Sequence, residues 1–290
     1  MEELGKRLGE ILERCKRQLG GTLLCLVVYG SASRPEDYIA GLSDIDIVAI
    51  CSSKPKVEER VKMFEGLATR VNALFLTPKE YRKLAKEGAL IAHLMVKDSK
   101  VLYGHDFFEE LIKEEPPRVT ASTLDYLRRA ALSALALGLE DYLTGRYGDL
   151  CLHLHKSFKH LVRGICLARR SFMPPSDREI KDAVKELGLG GELERLYPKI
   201  ISLKPLPALP PSECRALMAS SIEAFCIASG LRLPSLDKVE RAVRGLPVLK
   251  VSASLKGDSV DFLITVLKDE TGAVLVKRVG SGCDAKGSVG

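Results

Sequence analysis

Apolar residues recur at helical spacing near the start of the chain, where Leu4, Leu8, Ile11, Leu12, Cys15 and Leu19 are separated by charged positions. This pattern predicts an amphipathic helix over residues 3–19, stopped by Gly20-Gly21. The period then shortens. Thr22 to Tyr29 (TLLCLVVY) is a compact apolar run closed by Gly30, which predicts a buried strand. After a polar loop, Asp44 to Ile50 (DIDIVAI) predicts a second strand, Val57 to Leu67 a helix and Arg70 to Leu76 a third strand. Thr77, Pro78 and Glu80 make a capping box with proline at the first helical position, so a further helix begins there. VKDSKVLYG predicts a short hairpin edge before residue 104.

Strand periods stop at Glu115-Pro116-Pro117, and long helical periods take over. Residues 120–144, 149–170, 177–187, 192–202 and 212–229 predict helices, with a second capping box at Ser176 and Glu179. The connector LKPLPALPPS is too proline-dense to be helical. From Val248 the period returns to two in VLKVSAS, VDFLITVL and AVLVKRV, which predicts an antiparallel meander. The last ten residues, rich in glycine and serine, are expected to fray. The pattern predicts a mixed α/β chain in three parts: residues 1–115 as a small sheet flanked by helices, 116–235 as a helical bundle, and 236–290 as a short antiparallel β appendage.

Composition narrows the function classes. With 290 residues, 46% hydrophobic and 28% charged, the chain has ordinary globular usage, which excludes disordered, collagen-like and coiled-coil proteins. No run approaches the roughly 18 uninterrupted apolar residues of a membrane span. The first 20 residues lack the apolar block of a signal peptide, so a cytoplasmic location is expected. Lysine and arginine number 44 against 38 acids, a net +6 that leaves nucleic acid a possible but not a favoured partner. Eight cysteines form no C-x-x-C pair and mostly lie in apolar surroundings, as small buried hydrophobes do.

The candidate chemistry lies in the first part. Side chains alternate along a strand, so Asp44 and Asp46 share one face about 7 Å apart while Ile45 and Ile47 take the other. Two carboxylates this close, with no basic residue beside them, repel each other unless a hard cation such as Mg²⁺ lies between. Upstream, the apolar strand ends directly in Gly30-Ser31, where a glycine lets a phosphate approach the backbone and a hydroxyl stands ready to donate.

Taken together, VVYGSASRPEDYIAGLSDIDIVAI resembles the GS-x(n)-DxD signature of the DNA polymerase beta-like nucleotidyltransferase superfamily, in its small prokaryotic form. The strand before Gly30-Ser31, Arg34, the 13-residue step from Ser31 to Asp44 and the SDIDI run match in order, and the resemblance spans roughly residues 20–115. It implies a nucleotidyltransferase sheet in which Asp44 and Asp46 bind Mg²⁺, Gly30 and Ser31 hold the terminal phosphates of a nucleoside triphosphate, and Arg34 neutralises phosphate charge. ATP is the favoured donor, AMP the transferred group, and a hydroxyl of a small molecule or protein the acceptor. The superfamily's third carboxylate falls on Asn72 in RVNALFLT, and asparagine can ligate a metal through its carbonyl but cannot act as a base. The alternative implied by that departure is a catalytically weakened nucleotide-binding regulatory or partner-binding protein. Glu65 on the preceding helix is a candidate substitute base. The helical segment resembles the HEPN-type bundle that often follows such modules.

Other patterns carry less. In CLHLHKSFKH, a zinc site would draw on Cys151, His153, His155 and His160, but on a helix only Cys151 with His155, or His153 with His160, share a face. Arg146 with His153 fits the loose R-x(4 to 6)-H pattern of some HEPN ribonucleases. The lysines and arginines of HKSFKHLVRG and CLARR, near Phe158 and Phe172, read as a solvated helix face.

Overall fold

The structure is a computed structural model that describes residues 2–41, 43–205, 209–269 and 272–281. Helix α1 (Glu2–Leu19) buries Leu4, Leu8, Ile11, Cys15 and Leu19, the stripe its periodicity predicts. Strand β1 (Leu23–Tyr29) runs into a single 3₁₀ turn at Gly30–Ser33. Strand β2 (Ile45–Cys51), helix α2 (Val57–Phe64) and strand β3 (Val71–Leu76) follow. Three helices and one strand complete this region: α3 (Pro78–Glu87), α4 (Leu90–Lys97), β4 (Ser99–Tyr103) and α5 (His105–Glu114). The sheet order is β3-β2-β1-β4, with β2 and β3 parallel and the other pairs antiparallel.

Both faces of this sheet are covered, which is why its central strands are apolar at nearly every position. Ile45, Ile47 and Ala49 pack with Leu4, Leu8, Ile11 and Met63 from α1 and α2. Val48, Ile50, Cys25 and Val27 pack on the other side with Tyr81, Ala85, Met95, Phe108 and Leu111 from α3, α4 and α5. The alternation of DIDIVAI therefore divides two cores, and Asp44 and Asp46 are its polar start on the α3–α5 side.

Two local expectations change. VKDSKVLYG is not a hairpin: α4 runs to Lys97 and a single strand, β4, pairs with β1 at the sheet edge. LIAHLMVK is too uniformly apolar to show a helical period, so the sequence pattern does not announce α4. Helix α2 ends at Phe64 rather than Leu67, because Gly66 adopts φ +72 and turns the chain.

The rest of the chain contributes α6 (Ala121–Thr144), α7 (Tyr147–Arg170), α8 (Asp177–Glu186), α9 (Gly191–Leu203), α10 (Pro211–Ser229) and α11 (Leu236–Val243). Strands β5 (Val248–Lys256), β6 (Ser259–Leu267) and β7 (Val274–Val279) form the antiparallel meander, and β6 buries Val260, Phe262, Ile264 and Val266 at period two. Helix α11 has no counterpart in the sequence prediction, although Ser235 caps it by accepting from the Lys238 amide. The fold class is thus mixed α/β, a four-stranded mixed sheet with helices plus a small antiparallel sheet.

The chain forms two compact units, one of Met1–Tyr126 with Cys166–Glu179, the other of Leu127–Ile165 with Ile180–Gly290. Within the first, the segment after the proline pair is tied back to the α3–α4 turn. The Arg118 amide donates to Ala85 O at 3.0 Å and Thr123 Oγ1 to Gly88 O at 2.6 Å. Among the described residues no helix is long and apolar enough to cross a membrane. The seven described cysteines are free, and burial pushes the Cys15 and Cys25 thiols up to about 12. Cys283, the glycine-rich tail from 282 onward and the centre of the proline connector, 206–208, lie outside the described residues.

Candidate active site

Strand pairing assembles the site in the first unit. Tyr29 lies opposite Asp46 across β1 and β2, and Asp46 lies opposite Asn72 across β2 and β3. Residues paired in register share a face, so Tyr29, Asp46 and Asn72 form a row at one end of the sheet. Asn72 Nδ2 donates to Asp46 Oδ1 at 3.0 Å and to Asp44 Oδ2 at 3.3 Å. The three side chains therefore converge on one point, with the two aspartates half-buried and Asn72 exposed.

Gly30 closes this point from the side of β1. It adopts φ +72, and a Cβ built there would lie 3.3 Å from Asp46 Oδ2. Any larger residue would be strained in backbone and crowded against the carboxylate. Ser31 is half-buried in the turn, and its hydroxyl makes no hydrogen bond among the described residues. Arg34, expected to neutralise phosphate charge, is engaged within the turn. Its Nε donates to Asp37 Oδ2 at 2.7 Å, its guanidinium pairs with the Asp98 carboxylate, and its side chain is only 13% exposed.

Three contributors have no signal in the sequence reading. Asp98 and Ser33 grip the turn: Gly30 N donates to Asp98 O at 3.2 Å, and Ser33 Oγ donates to Gly30 O at 2.7 Å and to Asp98 O at 3.1 Å. Tyr29 is the third, and burial together with the nearby Asp46 charge pushes its hydroxyl up to about 12. Tyr29 thus stays a neutral donor across the working pH range. Only strand register shows these neighbours.

Among the described residues no group of three His, Cys, Asp or Glu is placed to hold a metal. The donor set at Asp44, Asp46 and Asn72 nonetheless fits Mg²⁺. It offers two carboxylates, an amide whose carbonyl can turn inward, and open positions for water and phosphate oxygens. The Asn72 amide donates to both carboxylates and offsets part of their repulsion.

No protein-family model matches the chain, and no curated protein matches it. Among solved structures it is similar to the spectinomycin adenyltransferase AAD(9) from Enterococcus faecialis, solved with ATP and spectinomycin. The TM-score is 0.50 at 13% identity, over 77% of this chain and 98% of that one. The chain has a nucleotidyltransferase fold. A nucleotidyltransferase-like protein from Exiguobacterium sibiricum also aligns, at TM-score 0.29 and 12% identity over 82% of each chain.

In the nucleotidyltransferase fold Glu65 sits apart from the aspartates. It follows α2, which packs on the Ile45–Ile47 face, and it is exposed with its carbonyl bound to Arg14 Nη1 at 2.7 Å. The histidines of α7 divide among separate partners in the second unit. His153 Nδ1 meets the buried Asp141 at 2.5 Å, and Arg146 reaches the other oxygen of Asp141 at 3.3 Å. His155 stacks on Tyr197 with ring centres 5.7 Å apart.

His160 gives a testable pH dependence. Burial, and then the neighbouring Arg163, Lys159 and Lys156 charges, pull its pKa down to about 4. The folded protein holds it neutral, whereas the unfolded chain protonates it near 6.5. Its contribution is complete above about 6.5 and is lost as pH falls toward 4. Thermal unfolding of wild type and His160→Gln between pH 7.5 and 4.5 is expected to show a smaller acid-side loss in the variant. Equal losses would refute the assignment.

Proposed function

We propose that the chain is a Mg²⁺-dependent nucleotidyltransferase that moves AMP from ATP to a hydroxyl acceptor. The observation that carries this reading is the convergence of Asp44, Asp46 and Asn72 beside Gly30 at the end of β1. Asp44 and Asp46 would hold Mg²⁺, with the Asn72 carbonyl as a neutral third donor. Bound there, the metal would offset negative charge on the phosphates. Gly30 admits the terminal phosphates close to the backbone, and the unengaged Ser31 hydroxyl donates to them. Arg34 supports the turn from behind. Tyr29 stands beside Asp46 as a neutral hydroxyl. With little covalent chemistry required of the protein, these groups act by orienting the triphosphate for in-line attack.

A small-molecule acceptor is favoured over a protein or RNA. The fold neighbour was solved with ATP and spectinomycin. The net charge of +6 is modest for capturing a polyanion. A second reading, a nucleotide-binding regulator with weakened chemistry, is favoured by one observation: Asn72 stands where a basic carboxylate would serve. Calorimetric titration with a nonhydrolysable ATP analogue and Mg²⁺ tests what both readings share. Wild type is expected to bind, and Asp44→Asn and Asp46→Asn to lose about tenfold or more of the Mg²⁺-dependent affinity. Variants that bind as tightly as wild type would overturn the metal assignment.

A further inference from the structure

We propose that Asp98 is a positioning residue that holds the Gly30–Ser33 turn in register for the triphosphate, an assignment that rests on the nucleotidyltransferase reading above. Asp98 ends α4 and leads into β4, which pairs with β1 through Ser99 and Tyr29. It therefore lies directly beside the point where β1 gives way to the turn. Its backbone carbonyl accepts from Gly30 N at 3.2 Å, at the first residue of the turn, and from Ser33 Oγ at 3.1 Å, at the last. Its carboxylate pairs with the Arg34 guanidinium and lies 3.4 Å from Ser33 Oγ. One residue thus grips the beginning, the end and the exit of the turn.

The chemistry of this contact is unusual for mere packing. The Asp98 side chain is 1% exposed and that of Arg34 13%. A buried ion pair brings a desolvation cost that apolar residues of similar volume avoid, so it adds little to stability by itself. What it supplies is direction. The carboxylate fixes the guanidinium, and Arg34 is held again by Asp37 at 2.7 Å, so the chain cannot slide out of the turn without separating buried charges. The turn in turn sets where Gly30 and Ser31 stand relative to Asp44 and Asp46. A displacement of about 1 Å in such a site can cost on the order of a hundredfold in function.

The role predicts a selective effect. A turn that holds terminal phosphates matters to a triphosphate and not to AMP, whereas general loosening of the sheet would weaken both ligands alike. The experiment compares a nonhydrolysable ATP analogue with AMP, each with Mg²⁺, on wild type, Asp98→Asn and Ser33→Ala. Asp98→Asn is expected to lose about tenfold or more for the triphosphate while AMP affinity changes less than about twofold. Ser33→Ala, which removes a neutral hydroxyl, is expected to shift the ratio in the same direction by a smaller factor. An unchanged ratio in Asp98→Asn, or equal losses for both ligands, would overturn the assignment. If Asp98→Asn does not fold, the ratio in Ser33→Ala decides, and no change there overturns it. Wild type that shows no preference for the triphosphate would instead defeat the underlying nucleotide reading, before any variant is compared.

Discussion

Asn72→Asp is expected to raise Mg²⁺-dependent pyrophosphate release from ATP, with a suitable acceptor, by on the order of a hundredfold. The present residue donates its amide to Asp46 and Asp44 at 3.0 and 3.3 Å, so it eases their mutual repulsion but has no basic atom to offer an attacking hydroxyl. A carboxylate at the same register position, opposite Asp46, would supply one. Loss of a general base typically costs 10²- to 10⁴-fold, which sets the scale of the gain. The same substitution has an opposite signature without metal. Three carboxylates meeting at one point repel, so the metal-free variant should melt below wild type and recover more on addition of Mg²⁺. Measuring both separates the readings. If both proteins bind nucleotide and neither turns over, the chain is a nucleotide binder rather than a weakened enzyme.

Gly104→Ala is expected to be strongly destabilising to the sheet unit. Gly104 turns the chain from β4 into α5 at φ +71. A Cβ there would overlap the Leu24 carbonyl oxygen and lie 2.9 Å from Cys25 Cα, so it would strike the backbone of β1, a central strand. Strand β1 also carries Tyr29 and leads to Gly30, so the damage reaches the site. A loss of about 4 kcal/mol is expected, a drop of roughly 10 °C in the unfolding midpoint. Gly66→Ala is the control, because Gly66 has φ +72 but nothing within 4 Å of its would-be Cβ. It should cost only the left-handed backbone strain of about 1 kcal/mol. Equal effects at the two positions would show that the close approach to β1 contributes nothing.

Short-range chemistry made much of this protein legible from its sequence. The stripe of α1, the capping box at Thr77 and Glu80 and the period-two meander depend on residues a few positions apart, and each forms where its pattern predicts. The side-by-side placement of Asp44 and Asp46 on one face follows from the pleat alone. Helix α4 and the single edge strand β4 were not legible, because LIAHLMVK shows no polar face and VLYG pairs with a strand about 75 residues away rather than with its neighbour, whereas α5 carries a helical period in Phe107, Phe108, Leu111 and Ile112 that the sequence prediction did not use. The setting of Arg34 was decided in the same way. Nothing in GSASRPED indicates that its guanidinium turns inward, since its partner Asp98 lies 64 positions further along the chain and reaches it only through the pairing of β1 with β4. Sequence by itself determined the elements with a clear period or cap and which polar groups stand at their ends. Tertiary structure decided which of those groups meet, because strand register and burial are set by the whole sheet and its two cores rather than by any local run of residues.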